Sequence, residues 1–368
     1  MTKFCFLTGL YGRNDSLMVR RHGPSLVKAG YDVYMVLCDN EPDEQKDGIH
    51  FVSTGYKPKN RIGRLFTQKR ILERAFAIDA DYYQVSDPEL LPIVKPLKRK
   101  GKKVLFNLRE YYPEMILHKE YIPKPLRVIL SKYYGNMMKK YLPLYDRVIC
   151  VTDNMSQLLS EQWKLKNTLV VSNFPWVNKS FNLSFEDYCK RGDVLCYEGT
   201  IYIQSRQENV FMALEKLPQV KYILAGKFDE NYDYIKKLPY WPKVEFIDGF
   251  TFEELPQILS RASISNVFRD FFGKDGSFGV LKIFDSMESA LPVLLADTPL
   301  YRKLEETYHC GICVNPNDAS QIENAIRYLI ENKEEAYRMG QNGRAAVLEK
   351  FCWEKESEKY IKEIESLL

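Results

Sequence analysis

Short apolar runs alternate with longer segments of helical periodicity along the first half of the chain. The runs KFCFLTGL, YDVYMVLCD, KKVLFNL and RVICVT are rich in Val, Leu and aromatic residues, whereas SLMVRRHGPSLVKAG and RLFTQKRILERAFAI repeat apolar residues every three or four positions. Buried strands separated by helices are typical of parallel βαβ units. The first half is therefore predicted to be an α/β domain.

The same pattern begins again after SNFPWVNKSFNLSFEDYCKRGD, a segment punctuated by Pro and Asn. Six short apolar runs follow, each leading through turn residues into a helix-like segment: DVLCYEG, VKYILAG, KVEFIDG, ASISNVF, PVLLAD and GICVN. We therefore predict two doubly wound domains, 1–172 and 173–350, and a charged helix over 351–368. Sheets of this kind bind ligands outside the carboxyl ends of their strands.

Composition supports two folded domains and shows an uneven charge. Of the 368 residues, 45% are hydrophobic, and a chain of this length exceeds the size at which one core usually stops growing. Residues 1–180 contain 30 Lys and Arg against 18 Asp and Glu, whereas the remainder contains 23 against 31. The basic first part favours an anionic partner.

Cysteine usage and the short apolar runs predict a cytoplasmic protein. The N-terminal run is too short for a signal peptide, and no run reaches the roughly 18 residues of a membrane span. The eight Cys are scattered, so reduced thiols are the expected state. Cys310 and Cys313 form a lone Cys-x-x-Cys, which we interpret as packed thiols because no second ligand pair accompanies it.

Two segments of the second half suit an anionic ligand. In YEGTIYIQSRQENVFMALEKLP a strand ends at Gly199 and a loop passes through Arg206 into a helix, an arrangement that favours a diphosphate. In DGSFGVLKIFDSMESALPVLLAD, Lys282 and Asp285 share the polar face of a predicted helix, where Lys282 adds charge near the first amides and Asp285 can accept from ribose hydroxyls. The alternative interpretations are that Arg206 is an ordinary surface arginine and that Lys282 and Asp285 form a solvated ion pair.

These segments together resemble GT-B glycosyltransferases of family 4, the group 1 glycosyltransferases. The stretch from LKIFDSMESALPVLLAD through CGICVNPND to FCWE is similar to the family pattern Lys-x-x-Glu-x-Met-x-x-Gly-x-Pro-Val, Gly-x-x-Val-x-Pro and Phe-x-Trp-Glu. NLREYYPEMI and YYQVSDPELLPI in the first half are similar to family segments more loosely. The resemblance implies two Rossmann-like parallel-sheet domains facing across a cleft, with a C-terminal helix that returns to the N-terminal domain.

The resemblance further implies a retaining hexosyltransferase of cell-surface polysaccharide biosynthesis. It would move a sugar from a UDP- or GDP-sugar to a saccharide or lipid-linked saccharide, without a metal or other cofactor. The implied donor contacts are Arg206 and Lys282 at the diphosphate, Asp285 at the ribose, and Gly12, Gly199, Thr200, Gly249, Phe250 and Gly279. The residues implied to face the reacting sugar are Asp87, Arg109 and Glu110.

Departures from the family pattern concern mainly the sugar contacts. Ser277 stands where a Glu is common, Thr200 where an Arg is common, and Ser86 and Arg109 where His is expected. Two other hypotheses therefore stay open. One is a nucleotide-sugar 2-epimerase of the same fold, and the other is a catalytically weak nucleotide-sugar-binding subunit.

Two basic segments of the first half bear on the partner. KPLKRKGKK (95–103) and IPKPLRVILSKYYGNMMKKYL (122–142) combine Lys and Arg with apolar and aromatic residues. They are interpreted either as a solvated domain face or as a basic amphipathic surface on an anionic membrane, at its inner face, which would favour a lipid-linked acceptor. A nucleic-acid partner is not expected, because no recognised module is present and the second half is acidic.

Overall fold

The computed structural model describes residues 1–119, 122–229, 232–269 and 282–367, and the chain divides into two compact units. The first unit comprises Met1–Asn173 together with Glu356–Leu368, and the second comprises Phe174–Lys355. Each unit is built on its own sheet. The predicted class of two α/β domains is confirmed.

The sheet of the first unit is parallel apart from one edge strand. Its described strands are β1 Lys3–Thr8, β2 Asp32–Leu37, β3 Glu44–Lys46, β4 Ile49–Ser53, β5 Tyr82–Val85, β6 Lys103–Leu108, β7 Arg147–Cys150 and β8 Thr168–Val170. They lie in the order β3-β4-β2-β1-β5-β6-β7-β8, and β3 runs antiparallel to β4. The side chains of β5 are all buried, as expected of a central strand that is covered on both faces.

The helices of the first unit include the two predicted periodic segments, SLMVRRHGPSLVKAG and RLFTQKRILERAFAI. They are α1 Gly23–Lys28, α2 Arg61–Arg64, α3 Gln68–Ile78, α4 Val94–Arg99, α5 Tyr112–Leu117, α6 Lys124–Tyr141 and α7 Asp153–Trp163. A π-helical turn, Met18–His22, precedes α1 where the sequence predicted one continuous helix. The Asp15 carboxylate accepts hydrogen bonds from the amides of Leu17 and Met18, which ties the start of this turn to the preceding loop.

The six predicted apolar runs of the second unit form six parallel strands among the described residues. They are β9 Val194–Glu198, β10 Lys221–Gly226, β11 Val244–Asp248, β12 Ile264–Asn266, β13 Val293–Ala296 and β14 Gly311–Val314. Their order is β11-β10-β9-β12-β13-β14. The helices are α8 Phe185–Lys190, α9 Gln207–Glu215, α10 Leu255–Ser260, α11 Ile283–Glu288, α12 Pro299–Tyr308, α13 Ala319–Glu331 and α14 Lys333–Glu349.

The last helix, α15 Trp353–Glu365, begins in the second unit and ends in the first. Tyr360 is fully buried there, donates a hydrogen bond of 2.7 Å to the Gln84 side chain, and packs its ring 4.2 Å from that of His22. The Gln84 amide in turn lies 3.0 Å from the Nδ1 atom of His22. The predicted return of the C-terminal helix to the first domain is confirmed.

The Cys-x-x-Cys motif lies at the start of β14 and is packed rather than reactive. Both thiols are free, and Cys310 is part of an apolar cluster with Met287 and Val293. Burial raises the pKa of Cys310 and of Cys313 to about 12, so both stay protonated near neutral pH.

Candidate functional site

Three neighbouring strands of the second sheet end at glycines in the left-handed backbone region. Gly199, Gly226 and Gly249 have φ values of 100°, 144° and 78° at the ends of β9, β10 and β11. A Cβ atom at Gly226 would lie 1.8 Å from the carbonyl oxygen of Gly199, so only glycine allows β9 and β10 to end side by side. This carboxyl edge exposes backbone that a ligand can approach closely, and it contains the predicted contacts Gly199 and Gly249.

Lys282 directs its ammonium group inward onto this edge. It is the N-cap residue of α11, and its Nζ atom donates a 2.9 Å hydrogen bond to the backbone carbonyl of Glu198 and lies 3.7 Å from the centre of the Tyr197 ring. Burial lowers the pKa of Lys282 to about 8, although the nearby Glu198 charge acts in the opposite direction. Lys282 is therefore a partly desolvated cation, and cations of this kind bind phosphates strongly.

A buried carboxylate lies beside this lysine. Glu198 ends β9, is only 5% exposed, and its Oε1 atom has no hydrogen-bond partner in the described part of the chain. Burial raises the pKa of Glu198, and the positive charge of Lys282 lowers it. Glu198 was not predicted from sequence, although the charged residue at the end of the apolar run VLCYE was a visible signal.

A second cation, also missed, lies near Lys282. Arg269 follows β12, which pairs with β9, and its guanidinium carbon lies 5.0 Å from the centre of the Tyr202 ring. The Nζ atom of Lys282 lies 5.9 Å from the same ring, and the charge of Arg269 contributes to the lowered pKa of Lys282. Two positive side chains, one after β12 and one at the start of α11, thus lie within 6 Å of the centre of the Tyr202 ring.

Arg206 lies on the loop that begins at Gly199, and a buried network fixes its backbone. It adopts the left-handed conformation at φ 48° and is the N-cap residue of α9. The next amide, that of Gln207, donates to the Tyr232 hydroxyl at 2.8 Å, and this hydroxyl also donates to the Glu208 carboxylate. Because the Gln207 amide is already bonded, the predicted anion contact here depends on the Arg206 side chain. Thr200, earlier on the loop, is exposed, and its carbonyl accepts a hydrogen bond from Tyr197.

Asp285 lies one helical turn after Lys282 and lines a cavity of about 310 Å³ within the second unit. Aromatic and acidic side chains share the wall, among them Trp176, Phe252 and Glu288. Carboxylates accept hydrogen bonds from paired hydroxyls and aromatic faces stack on planar rings, so the cavity suits a nucleoside.

Gly249 and Phe250, the two residues predicted to contact the base, follow directly after β11. The side chain of Phe250 is partly buried against an apolar cluster that includes Leu255 and Ile258 of α10, and the predicted contact is with the backbone of this loop. Gly249 needs its glycine because a Cβ atom there would lie 2.9 Å from the Lys227 side chain and its φ is positive. Gly279, like Ser277, lies outside the described residues.

In the first unit, Asp87 holds the loop that follows β1. Its carboxylate accepts hydrogen bonds from the Thr8 hydroxyl, at 2.9 Å, and from the Gly9 amide, and its side chain is buried. Burial raises the pKa of Asp87 to about 7, against the lowering effect of the Gly9 bond. With both oxygens bonded to the protein, Asp87 is placed to position this loop.

Arg109 is bonded to the same loop. Its two terminal nitrogens each donate a 2.7 Å hydrogen bond to Asp15, and its guanidinium carbon lies 3.7 Å from the centre of the Tyr11 ring. Its Nε atom is buried without a hydrogen-bond partner among the described residues. The contacts of Asp15 and Tyr11 with Arg109 were not predicted from sequence, because no local pattern pairs a residue of the β1 loop with one that follows β6.

The remaining predicted residues of the first unit are exposed. Gly12 lies in the β1 loop, and a Cβ atom there would meet nothing within 4 Å, so the fold itself does not require glycine. Glu110 is exposed next to Arg109. Both residues are accessible to a ligand.

Two general properties bear on the possible chemistry. No group of three or more His, Cys, Asp or Glu within the described ranges is arranged to hold a metal ion. No helix in that part of the chain is long and apolar enough to cross a membrane.

Comparison with known proteins identifies the family. The family model described as glycosyl transferases group 1 matches residues 189–346, and that of glycosyltransferase family 4 matches residues 17–174. The two matches fall in different units and together span most of the chain. The chain belongs to the family 4, group 1 glycosyltransferases. No curated protein matches this family 4 chain significantly in sequence.

Solved structures of low sequence identity share the fold of the family 4 chain. The sucrose-phosphate synthase of Thermosynechococcus elongatus superposes with a TM-score of 0.81 at 17% identity, over 100% of this chain and 99% of the other. HepE of Anabaena, in complex with UDP-glucose, gives a TM-score of 0.71 at 16% identity over the full length of both chains. The GT-B fold of this chain is therefore shown.

Proposed function

We propose that the chain is a retaining glycosyltransferase that moves a sugar from a UDP- or GDP-sugar to a saccharide or lipid-linked saccharide. Its role would be in cell-surface polysaccharide biosynthesis. The observation that carries the proposal is the pair of cations, Lys282 and Arg269, around Tyr202 at the glycine-lined carboxyl edge of the second sheet. HepE, which has the same fold, was solved with UDP-glucose.

The proposed reaction follows from charge. Negative charge develops on the diphosphate as the bond to the sugar breaks, and fixed cations near that group stabilise the transition state. Lys282 would supply this charge from the start of α11 and Arg269 from the end of β12, and Arg206 would add a third cation from the loop after Gly199. These side chains provide the stabilisation without a metal, so we propose a metal-independent enzyme.

We place the nucleoside of the donor in the cavity beside Asp285. The Asp285 carboxylate would accept hydrogen bonds from the two ribose hydroxyls, and Trp176 and Phe252 would offer aromatic faces to the base. Since Lys282 lies one turn before Asp285, the diphosphate and the ribose would contact successive turns of the chain. The shorter Asp, in place of the family's Glu, sets the ribose closer to α11.

The first unit would contribute the acceptor side. Asp87 and Arg109 act as positioning residues for the β1 loop, because their polar atoms are bonded to Gly9 and Asp15. Glu110 is exposed and would face the reacting sugar, and Gly12 is exposed and would approach the donor phosphates. Retention of anomeric configuration is proposed from the family, whose acceptor attacks on the face that the leaving group departs from.

Incubation of the purified protein with UDP-, GDP- and dTDP-sugars tests the proposal. Slow release of free nucleoside diphosphate, accelerated by mixed saccharide acceptors, is the expected result. An intact but isomerised donor would instead establish the 2-epimerase, and tight binding without turnover would establish a binding subunit. Lys282→Met, assayed in parallel, shows whether any activity belongs to the proposed site.

A further inference from the structure

Helix α6, Lys124–Tyr141, exposes an unusual share of its apolar side chains. Of its 18 residues only Met138 is buried, whereas Leu126, Ile129 and Tyr133 are 44%, 62% and 52% exposed. At about 100° per residue these three side chains fall within roughly 60° of one another around the helix axis. They form one apolar stripe on the outer surface of the first unit.

The surroundings of this stripe are strongly basic. The sequence of α6 contains five Lys and Arg and no Asp or Glu. Lys132, Lys139 and Lys140 are all exposed. An exposed helix that serves only solubility normally carries both signs of charge, so the single sign here indicates an anionic partner.

The basic surface continues onto the neighbouring helix. Helices α4 and α6 connect β5 to β6 and β6 to β7, which are adjacent in the sheet, so right-handed crossovers place both on the same face. The Nζ atoms of Lys95 in α4 and of Lys140 in α6 lie 5.4 and 5.3 Å from the centre of the Tyr141 ring. The segment KPLKRKGKK therefore extends the positive charge of α6.

We infer that the outer face of α6 docks on an anionic lipid bilayer. An apolar stripe of Leu, Ile and Tyr flanked by Lys is suited to the interface of a bilayer. There the apolar side chains enter the headgroup boundary and the Lys side chains contact anionic headgroups. A symmetric pairing of this face with a second copy would oppose like charges. The inference goes beyond the transferase proposal, because it does not depend on donor binding.

Sedimentation with lipid vesicles tests the inference on the full chain. Vesicles of phosphatidylcholine alone are compared with vesicles that contain about a third phosphatidylglycerol, at low and high salt. The unmodified protein should sediment with the anionic vesicles and be released by salt. The variant Lys132→Gln/Lys139→Gln/Lys140→Gln should bind about 100-fold more weakly, since each lysine near the surface is worth about fivefold.

Two further variants separate the contributions. Leu126→Ser/Ile129→Ser removes two apolar side chains of the stripe at exposed positions. It should weaken vesicle binding at least tenfold, which is roughly the contribution of burying one aliphatic side chain. Lys221→Gln/Lys237→Gln/Lys303→Gln removes the same charge from exposed positions of the second unit and should bind as the unmodified protein does. UDP binding, measured without vesicles, should be equal in all four proteins.

Three results would overturn the inference. The first is that the unmodified protein does not bind anionic vesicles, and the second is that both lysine variants bind them equally. The third is a dimer in solution that the α6 variants dissociate while vesicle binding is absent, which would assign the face to a second copy. A failure of the donor assay alone would leave this inference standing.

Discussion

Replacement of Lys282 by Met should weaken donor binding without lowering the stability of the fold. The ammonium group is replaced by an apolar side chain of similar length that can still pack on Tyr197. Loss of its charged hydrogen bonds to the diphosphate should cost about 1.5–3 kcal/mol, which is roughly a 10- to 150-fold weaker Kd for UDP or GDP. Isothermal titration with both nucleotides measures this change directly.

The same variant should not lose stability. Burial lowers the pKa of Lys282 from 10.5 to about 8. At about 1.4 kcal/mol for each unit of pKa, the charged form of Lys282 is therefore less favourable in the folded protein than in the unfolded chain by roughly 3 kcal/mol. The unfolded chain binds this proton more tightly, so stability should rise as the pH increases from about 8 towards 10.5. In Lys282→Met this rise should disappear. Burial already raises the pKa of Glu198, so this carboxylate can take up a proton once the neighbouring cation is removed, and thermal unfolding at pH 7 should occur at a similar temperature.

Donor affinity should also depend on pH in a defined direction. The free protein carries a charged Lys282 below pH 8 and loses that charge above it, so nucleotide affinity should be constant near pH 6–7 and fall as the pH rises past about 8. The fall attributable to this group should be absent in Lys282→Met. Lys221→Met, at the exposed amino end of β10, removes the same charge from the opposite edge of the sheet and serves as the control.

Two outcomes would refute this reasoning. One is an unchanged Kd in Lys282→Met, which would remove the lysine from the donor site. The other is a lower unfolding temperature that Lys221→Met does not share, which would make the loss of affinity a consequence of damaged folding.

Three further predictions concern the loops around the site. Gly12→Ala should leave thermal unfolding unchanged, because its Cβ atom meets open space, but should raise the KM for donor several-fold. Gly9→Ala should lower the unfolding temperature, because its Cβ atom would lie 2.9 Å from a threonine hydroxyl. Equal stability of the two variants would contradict this prediction. Asp87→Asn can still form hydrogen bonds to the β1 loop, and its turnover should stay within about threefold of that of the unmodified protein. Asp87→Ala should lose about 2 kcal/mol of unfolding free energy. Loss of turnover in the Asn variant would instead show that the charge of Asp87 is catalytic. Tyr232→Phe removes the hydroxyl that accepts a hydrogen bond from the first amide of α9. It should weaken UDP binding several-fold, because Arg206 is no longer held in place, and should lower the free energy of unfolding by about 1–2 kcal/mol. An unchanged Kd for UDP would show that this network does not position Arg206.

The strands and the single-residue contacts differ in how far sequence could predict them. Apolar runs such as VKYILAG end in glycine, and this pattern was sufficient for β9–β11 and for the edge with Gly199 and Gly249. The neighbouring positions of Lys282 and Asp285 at the start of α11 were also predictable from sequence, because residues three apart on a helix lie on the same side.

The missed residues depend on strand order. Arg269, after β12, lies near Tyr202, after β9, because β12 pairs with β9. The strands β10 and β11 come between β9 and β12 along the chain. Asp15 pairs with Arg109 for the same reason, across β1, β5 and β6. Local periodicity contains no information on such pairings, so the cation pair and the loop-holding ion pair could be recognised only from the structure.

A crystal structure with bound UDP or GDP tests the central proposal most directly. The diphosphate is expected to accept hydrogen bonds from Lys282 and Arg269 near the carboxyl ends of β9 and β12, and both ribose hydroxyls are expected to donate to Asp285. A nucleotide bound elsewhere, with the Lys282 ammonium still on the Glu198 carbonyl, would contradict it.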